Sequence, residues 1–249
     1  MAADPPSRAP ADGPAPPPAL QLRLATGPVL LHGAQRLPLM AADALMLAWL
    51  ALQGPTPRAR MAELLWPESE PAAARAALRQ RLYSLRRHAG VDVVAGQAVL
   101  ALAEGVAHDL AEADTLLQGE RGPAGGALAD WLHGERDRRR SRRQAQWLQR
   151  LQQAEQAGDA AAALRLAQEW VLAEPELEAA HRELVRRHYL LGDAVAARAA
   201  YLRCEQMLRR AFDAAPSAET QALRQLLDAA TPAQRPALGA MPGPAHGPA

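Results

Sequence analysis

From Leu20 the apolar positions alternate with polar ones in three short runs, "LQLRLAT", "PVLLHG" and "QRLPL", separated by Gly27 and Gly33. Period-two alternation broken by glycine predicts short antiparallel strands joined by turns. The period then changes. Asp43 to Leu52 has helical spacing and is stopped by "GPTP". A second helix is expected with Thr56 as its cap and Pro57 in its first position, ending at Trp66 before Pro67. A third is expected from Ser69 to Ala89, with Ser69 as cap, Pro71 just inside and Gly90 just past the end. "VDVVAGQAVLAL" returns to period two around Ala95-Gly96-Gln97 and reads as a hairpin.

After His108 no strand pattern is expected. "HDLAEADTLLQ" reads as a short helix and "GERGPAGG" (Gly119–Gly126) as a flexible break. From Leu128 to about Ala230 the spacing is helical throughout. "AGDAAAALRLAQEW" at Ala157 and "LGDAVAARAAYLRC" at Leu191 place Gly158-Asp159 and Gly192-Asp193 one tetratricopeptide (TPR) period of about 34 residues apart. Each Gly-Asp is expected to end one helix and open the next. Ala163 and Ala197, at matching positions, are small where paired helices must approach closely. Pro175 closes the first unit. Two repeats leave a face uncovered, so flanking helices at Leu128–Arg143 and Ser217–Leu227 are expected to cap them. The fold class expected is mainly α with a small β part: a winged helix-turn-helix domain followed by a TPR-like helical repeat domain. The expected divisions are 20–106 and 108–230, between Pro/Ala/Gly-rich tails at 1–19 and 231–249 that lack the composition to fold.

Composition changes this picture little. The formal net charge is +1, so nucleic-acid binding has to rest on local clustering. Every basic side chain other than histidine is arginine, while lysine, isoleucine and asparagine are absent, a codon bias that weakens any argument from arginine abundance alone. Cys204 is the only cysteine, which excludes an internal disulfide and a cysteine-based zinc cluster. The longest apolar run, "LMLAWLAL" (Leu45–Leu52), is far short of a membrane span, and the N-terminal stretch lacks the apolar segment of a signal peptide. A cytoplasmic protein without membrane contact is expected.

Local charge is more informative. Between Gly54 and Gly90 there are seven arginines (58, 60, 75, 79, 81, 86 and 87) and three glutamates (63, 68 and 70). On a helix advancing about 100° per residue, Ala74, Leu78, Leu82 and Leu85 form the inward stripe. Ala76, Arg79, Gln80, Tyr83 and Arg87 lie opposite, with Arg75 and Arg86 on one shoulder and Arg81 on the other. No acid occurs between Glu70 and Asp92, so the stabilising Glu–Arg pairs of an ordinary solvated helix are missing. A basic helix that closes a helix trio and precedes a hairpin is the element a winged helix lays in the major groove. There arginine can fork onto guanine and glutamine can read adenine.

Other clusters carry less chemistry. "ERDRRRSRRQ" (Glu135–Gln144) reads as the exposed face of a long helix, with contact to DNA or RNA polymerase as the alternative. His181 and His188 stand two turns apart, too far for a helical metal pair, and are expected to pack in the core, as is Cys204. No P-loop, nucleophile elbow or carboxylate pair is present, so no catalytic residue, metal site or cofactor is expected.

The run Gly54–Gly90, above all "ELLWP" (Glu63–Pro67) and the spacing of Leu78-Arg79-Gln80, Tyr83 and Leu85-Arg86-Arg87, resembles the DNA-binding domain of the Streptomyces antibiotic regulatory protein (SARP) family. That domain is an OmpR/PhoB-type winged helix. "DWLHGERDRRR" at Asp130, the run from Gly158 to Asp193 and "PSAET" at Pro216 resemble the helical activator domain that follows it in those proteins. The likeness covers roughly Leu20 to Leu227. It implies a sequence-specific regulator, usually an activator, that binds double-stranded promoter DNA. It also implies that the repeat domain serves contacts with RNA polymerase or a homodimer. Arg79, Gln80, Tyr83 and Arg87 would enter the major groove, and Arg58, Arg60, Arg75 and Arg86 would meet phosphates. Three places depart from the family pattern: Met40-Ala41-Ala42-Asp43 in place of basic residues, Ala77 in place of asparagine, and a wing tip without arginine. They carry the rival reading, an adaptor whose winged helix is vestigial and whose repeat groove holds a protein partner.

Overall fold

Leu22, Leu24 and Leu30 are the inward positions of the first alternating runs, and all three are buried in the computed structural model, which describes residues 20–120, 122 and 125–229. The strands are β1 (Leu20–Arg23), β2 (Val29–His32) and β3 (Gln35–Pro38), paired antiparallel in sequence with Leu22 opposite Leu30. Then come α1 (Ala41–Gln53), a two-residue strand β4 (Thr56–Pro57), α2 (Arg58–Leu65) and α3 (Pro71–Ala89). The hairpin follows as β5 (Val94–Ala95) and β6 (Val99–Leu102), with β4 paired to the other edge of β6. Strands, a helix trio and a hairpin in this order make a winged-helix arrangement. The expected tails at 1–19 and 231–249 lie outside the described residues.

Three expectations are corrected. Thr56 does not cap α2. Its hydroxyl donates to the Gly54 carbonyl (3.1 Å) and accepts from the Trp49 indole N–H (2.9 Å), while its backbone joins the sheet opposite Leu100. Ser69 does not cap α3 either; Glu70 holds that position and no side chain bonds there, because Pro71 already fixes the first turn. "HDLAEADTLLQ" is not a helix. Its start belongs to β7 (Val106–His108), which adds to β1 in parallel to give the order β3-β2-β1-β7. The rest is a loop anchored by Asp109, whose carboxylate accepts from the Leu24 amide at 2.8 Å and the Ala25 amide at 3.4 Å.

By internal packing the chain divides into units 1–143 and 144–249. The first core gathers Leu22, Met46, Leu47, Met61, Leu78 and Leu100. The second unit receives the latter part of α4 (Ala127–Gln156), then α5 (Ala160–Ala173), α6 (Glu178–Leu190), α7 (Ala194–Phe212) and α8 (Ala218–Ala229). Here the repeat is geometric as well as sequential. Gly158 and Gly192 both have positive φ (71° and 77°), a conformation glycine adopts at little steric cost. Their amides bond Glu155 and Tyr189 carbonyls, each at 2.9 Å. Asp159 and Asp193 then cap α5 and α7, accepting from the Ala162 and Ala196 amides at 2.8 and 2.9 Å. Ala163 and Ala197 are buried as expected. No helix among the described residues is long and apolar enough to cross a membrane.

His181 is buried and its Nε2 lies 2.8 Å from the Pro175 carbonyl oxygen, so it is a core residue. Cys204 is fully buried, and desolvation pushes its thiol up to about 11. At pH 8 only about one thiol in a thousand is then thiolate, the nucleophilic form. Alkylation by iodoacetamide is therefore expected to follow unfolding of the second unit, and rapid labelling of the native chain would contradict this burial.

Candidate nucleic-acid interface

The amphipathic pattern of α3 is realised in three dimensions. Ala74, Leu78 and Leu85 are buried and Leu82 half-buried, which turns Arg75, Arg79, Gln80, Tyr83, Arg86 and Arg87 outward to solvent. Tyr83 is 60% exposed, unusual for an aromatic side chain with apolar neighbours on its own helix. Gly90, in the left-handed conformation, ends the helix and its amide bonds the Arg86 carbonyl.

The hairpin stands beside this face. Arg58, at the start of α2, is tied to the hairpin twice: its amide donates to the Ala98 carbonyl (2.8 Å) and its guanidinium to the Gln97 carbonyl (3.3 Å). Arg58, Arg79, Tyr83 and Arg86 share the lining of a cleft of about 250 Å³ with Asp92 and Gly96. Gly96 has φ +97°, and a Cβ there would collide with the Val99 carbonyl oxygen, so the tight tip requires glycine. The structure thus brings Arg58, Arg79, Tyr83 and Arg86 together around one cleft. Gln80, Arg75 and Arg87 lie on the open face of α3, and Arg60 on exposed α2, 3.5 Å from Glu63.

Two acids missing from the helix itself reach its arginines from outside. Asp92 pairs with Arg86 at 3.3 Å, both half or more exposed, a contact worth little in water. Asp43 pairs with Arg81 at 3.6 Å and is buried, so it sits behind the basic face and not on it. Desolvation raises the Asp43 carboxyl above its ordinary value, and the nearby charges of Arg81 and His88 only partly offset this. Its protonated form is therefore favoured by folding. That contribution is fully present below pH 3.8 and is lost as pH rises through the raised folded value. Asp43→Asn is expected to remove this slope. Urea midpoints of the variant and the native chain should diverge across the weakly acidic range and run parallel above it.

The basic run on α4 is corrected most. Arg138, Arg140 and Arg142 are exposed as expected, but Arg136 and Arg139 turn inward. Arg136 donates from Nε to the Leu116 carbonyl (2.9 Å) and from Nη2 to the carbonyls of Leu117 and Glu120 (3.0 Å for the latter). Arg139, 5% exposed, donates to the carbonyls of Leu110 (3.0 Å) and Ala113 and to Glu135 (3.1 Å). Arg142 reaches the Ala113 carbonyl at 2.8 Å and Asp114 at 3.2 Å. The run clamps the loop after β7 onto α4. Its loop partners lie 16–29 residues earlier and, Asp114 aside, are backbone carbonyls, which carry no sequence signal.

Comparison with known proteins places the chain. The family described as "bacterial transcriptional activator domain" matches residues 94–227, more than half of the length. No curated protein matches. Among solved structures, Mycobacterium tuberculosis EmbR in complex with a low-affinity phosphopeptide is similar at 19% identity and a TM-score of 0.48. That alignment covers 86% of this chain and 66% of EmbR, just under two thirds. On the extent of the family match, the chain belongs to the bacterial transcriptional activator domain family.

Proposed function

We propose that this regulator binds double-stranded promoter DNA through α3, with residues 20–106 as the DNA-binding part, and acts as an activator in the cytoplasm. In this reading residues 108–230 serve dimer or RNA polymerase contacts. The observation that supports it is the outward face of α3, where four arginines, a glutamine and a tyrosine are exposed with no carboxylate on the helix. Arg79, Gln80, Tyr83 and Arg87 are the base-reading set and Arg58, Arg60, Arg75 and Arg86 the phosphate set. Asp43, buried against Arg81, offers no exposed charge to repel a phosphate, which removes one objection to the reading.

The two sets predict different behaviour. Arg79→Ala or Arg87→Ala is expected to cost about 1–3 kcal/mol of affinity for the cognate site and to relax specificity there. Arg60→Ala or Arg75→Ala is expected to weaken all duplexes alike and flatten the dependence of log K on log salt by about one unit. Fluorescence anisotropy with the full chain over a salt series separates these outcomes. If neither class of substitution changes binding, the DNA reading fails.

A further inference from the structure

On the far end of its sequence from α3, the first unit carries a second basic concavity. It measures about 260 Å³ and is lined by Arg136, Arg140 and Arg143 of α4 together with Thr115, Gln118 and Asp114 of the loop. The three arginines stand at i, i+4 and i+7, one above another on one helix face. The loop clamp leaves capacity unused on Arg136 and Arg140. Arg136 spends Nε and Nη2 on carbonyls, and its Nη1 makes no hydrogen bond among the described residues. It also has no carboxylate within ion-pair distance among them. Desolvation lowers its proton affinity, with Glu120 opposing the shift only in part. A half-buried guanidinium satisfied by neutral carbonyls remains short of negative charge. Arg140 is exposed and gives only Nη1 to Asp137, at 3.1 Å. Arg143 lies 3.5 Å from the Asp114 carbonyl. The one carboxylate in the lining, Asp114, is taken by Arg142 at 3.2 Å.

We infer that this concavity binds a small phosphomonoester, with Arg136 and Arg140 as the principal anion ligands and the Thr115 hydroxyl as a neutral donor. A tetrahedral dianion offers three acceptor oxygens to several converging forks, where a carboxylate offers two. The volume leaves room beyond the phosphate for a small organic group. Leu117, buried and held at φ +49°, bends the loop so that its carbonyls face Arg136 and the neighbouring side chains line the opening. The site is independent of the α3 surface, so its failure leaves the DNA reading untouched.

The test uses the full chain and phenyl phosphate, with benzoate as a carboxylate of similar size, at constant ionic strength. Phenyl phosphate is expected to raise the melting temperature saturably and benzoate to have no effect. Arg140→Ala removes a ligand that touches nothing in the loop, so the unliganded melting temperature is expected to stay within about a degree of the native value. Affinity for phenyl phosphate is expected to fall at least about tenfold, the loss of one charge-assisted contact. Unchanged affinity in Arg140→Ala, equal response to benzoate, or no saturable response would each overturn the proposal. So would a duplex whose affinity falls in Arg140→Ala while phenyl phosphate does not bind, since the anion would then be a DNA phosphodiester.

Discussion

Arg139→Ala is expected to destabilise the first unit by about 2–4 kcal/mol, while Arg138→Ala, its neighbour, costs less than about 0.5 kcal/mol. Both arginines lie in the same basic run and both contact Glu135. They differ in what surrounds them. Arg138 has a side chain 65% exposed, and water replaces it readily. Arg139 is 5% exposed and donates to the Leu110 carbonyl, while Ala113 retains Arg142 as a second donor. Its loss strands one buried carbonyl and leaves Glu135, 15% exposed, with Arg138 alone. Arg139→Lys is expected to recover only part of the loss, since one ammonium cannot span two carbonyls and a carboxylate as a planar fork does. Urea unfolding followed by the fluorescence of Trp49 and Trp131, which lie 5.0 Å apart in this unit, measures the difference. Equal costs for Arg138→Ala and Arg139→Ala would return the run to the solvated face that its composition suggests.

That contrast marks where the sequence could be read and where it could not. Periodicity located the strands, the helix trio, the hairpin and the repeat, because each is a local pattern whose inward residues become the core. Asp159 and Asp193 cap their helices as expected, since each carboxylate meets a free amide three residues on, a purely local contact. Thr56 and Ser69 carry the same kind of signal and do not cap. At Thr56 the indole of Trp49 takes the hydroxyl and a strand edge 44 residues further on takes the backbone. At Ser69 the following Glu70-Pro71 moves the cap by one residue, to Glu70. The strand β7 was illegible for a related reason: three residues long, it exists only because β1 offers an open parallel edge more than eighty residues away.

The candidate site divides the same way. The exposed set on α3 follows from helical spacing around Leu78 and Leu85, so all of its outward residues were legible. The burial of Asp43 against Arg81 was not, because it depends on how α1 and α3 pack. Nor could the sequence show that Arg58 is bound to the wing, which ties the phosphate set to the hairpin tip.

Trp170→Ala is expected to cost the second unit about 3–5 kcal/mol, against less than about 0.5 kcal/mol for Leu172→Ala two residues later. Trp170 is fully buried, whereas Leu172 is 81% exposed. The indole stacks on Trp147 with centroids 6.0 Å apart and planes 10° from parallel, and its N–H donates to Glu174 at 3.2 Å. Half of the other buried residues in its core cluster are alanines: Ala167, Ala179, Ala180, Ala197 and Ala200, beside Leu151, Leu184, Val185, Tyr201 and Leu227. Alanine has no flexible side chain to swing into a gap, and the backbones it brings together are already close. The cavity left by the indole would therefore persist, which places the cost at the high end for a large-to-small change. Trp170→Phe keeps most of the stack and gives up the hydrogen bond, so an intermediate loss of about 1–2 kcal/mol is expected. Urea unfolding followed by helical circular dichroism reads all three variants. A loss under about 1 kcal/mol for Trp170→Ala would mean that the capped Gly-Asp turns, and not this aromatic centre, hold the repeat together.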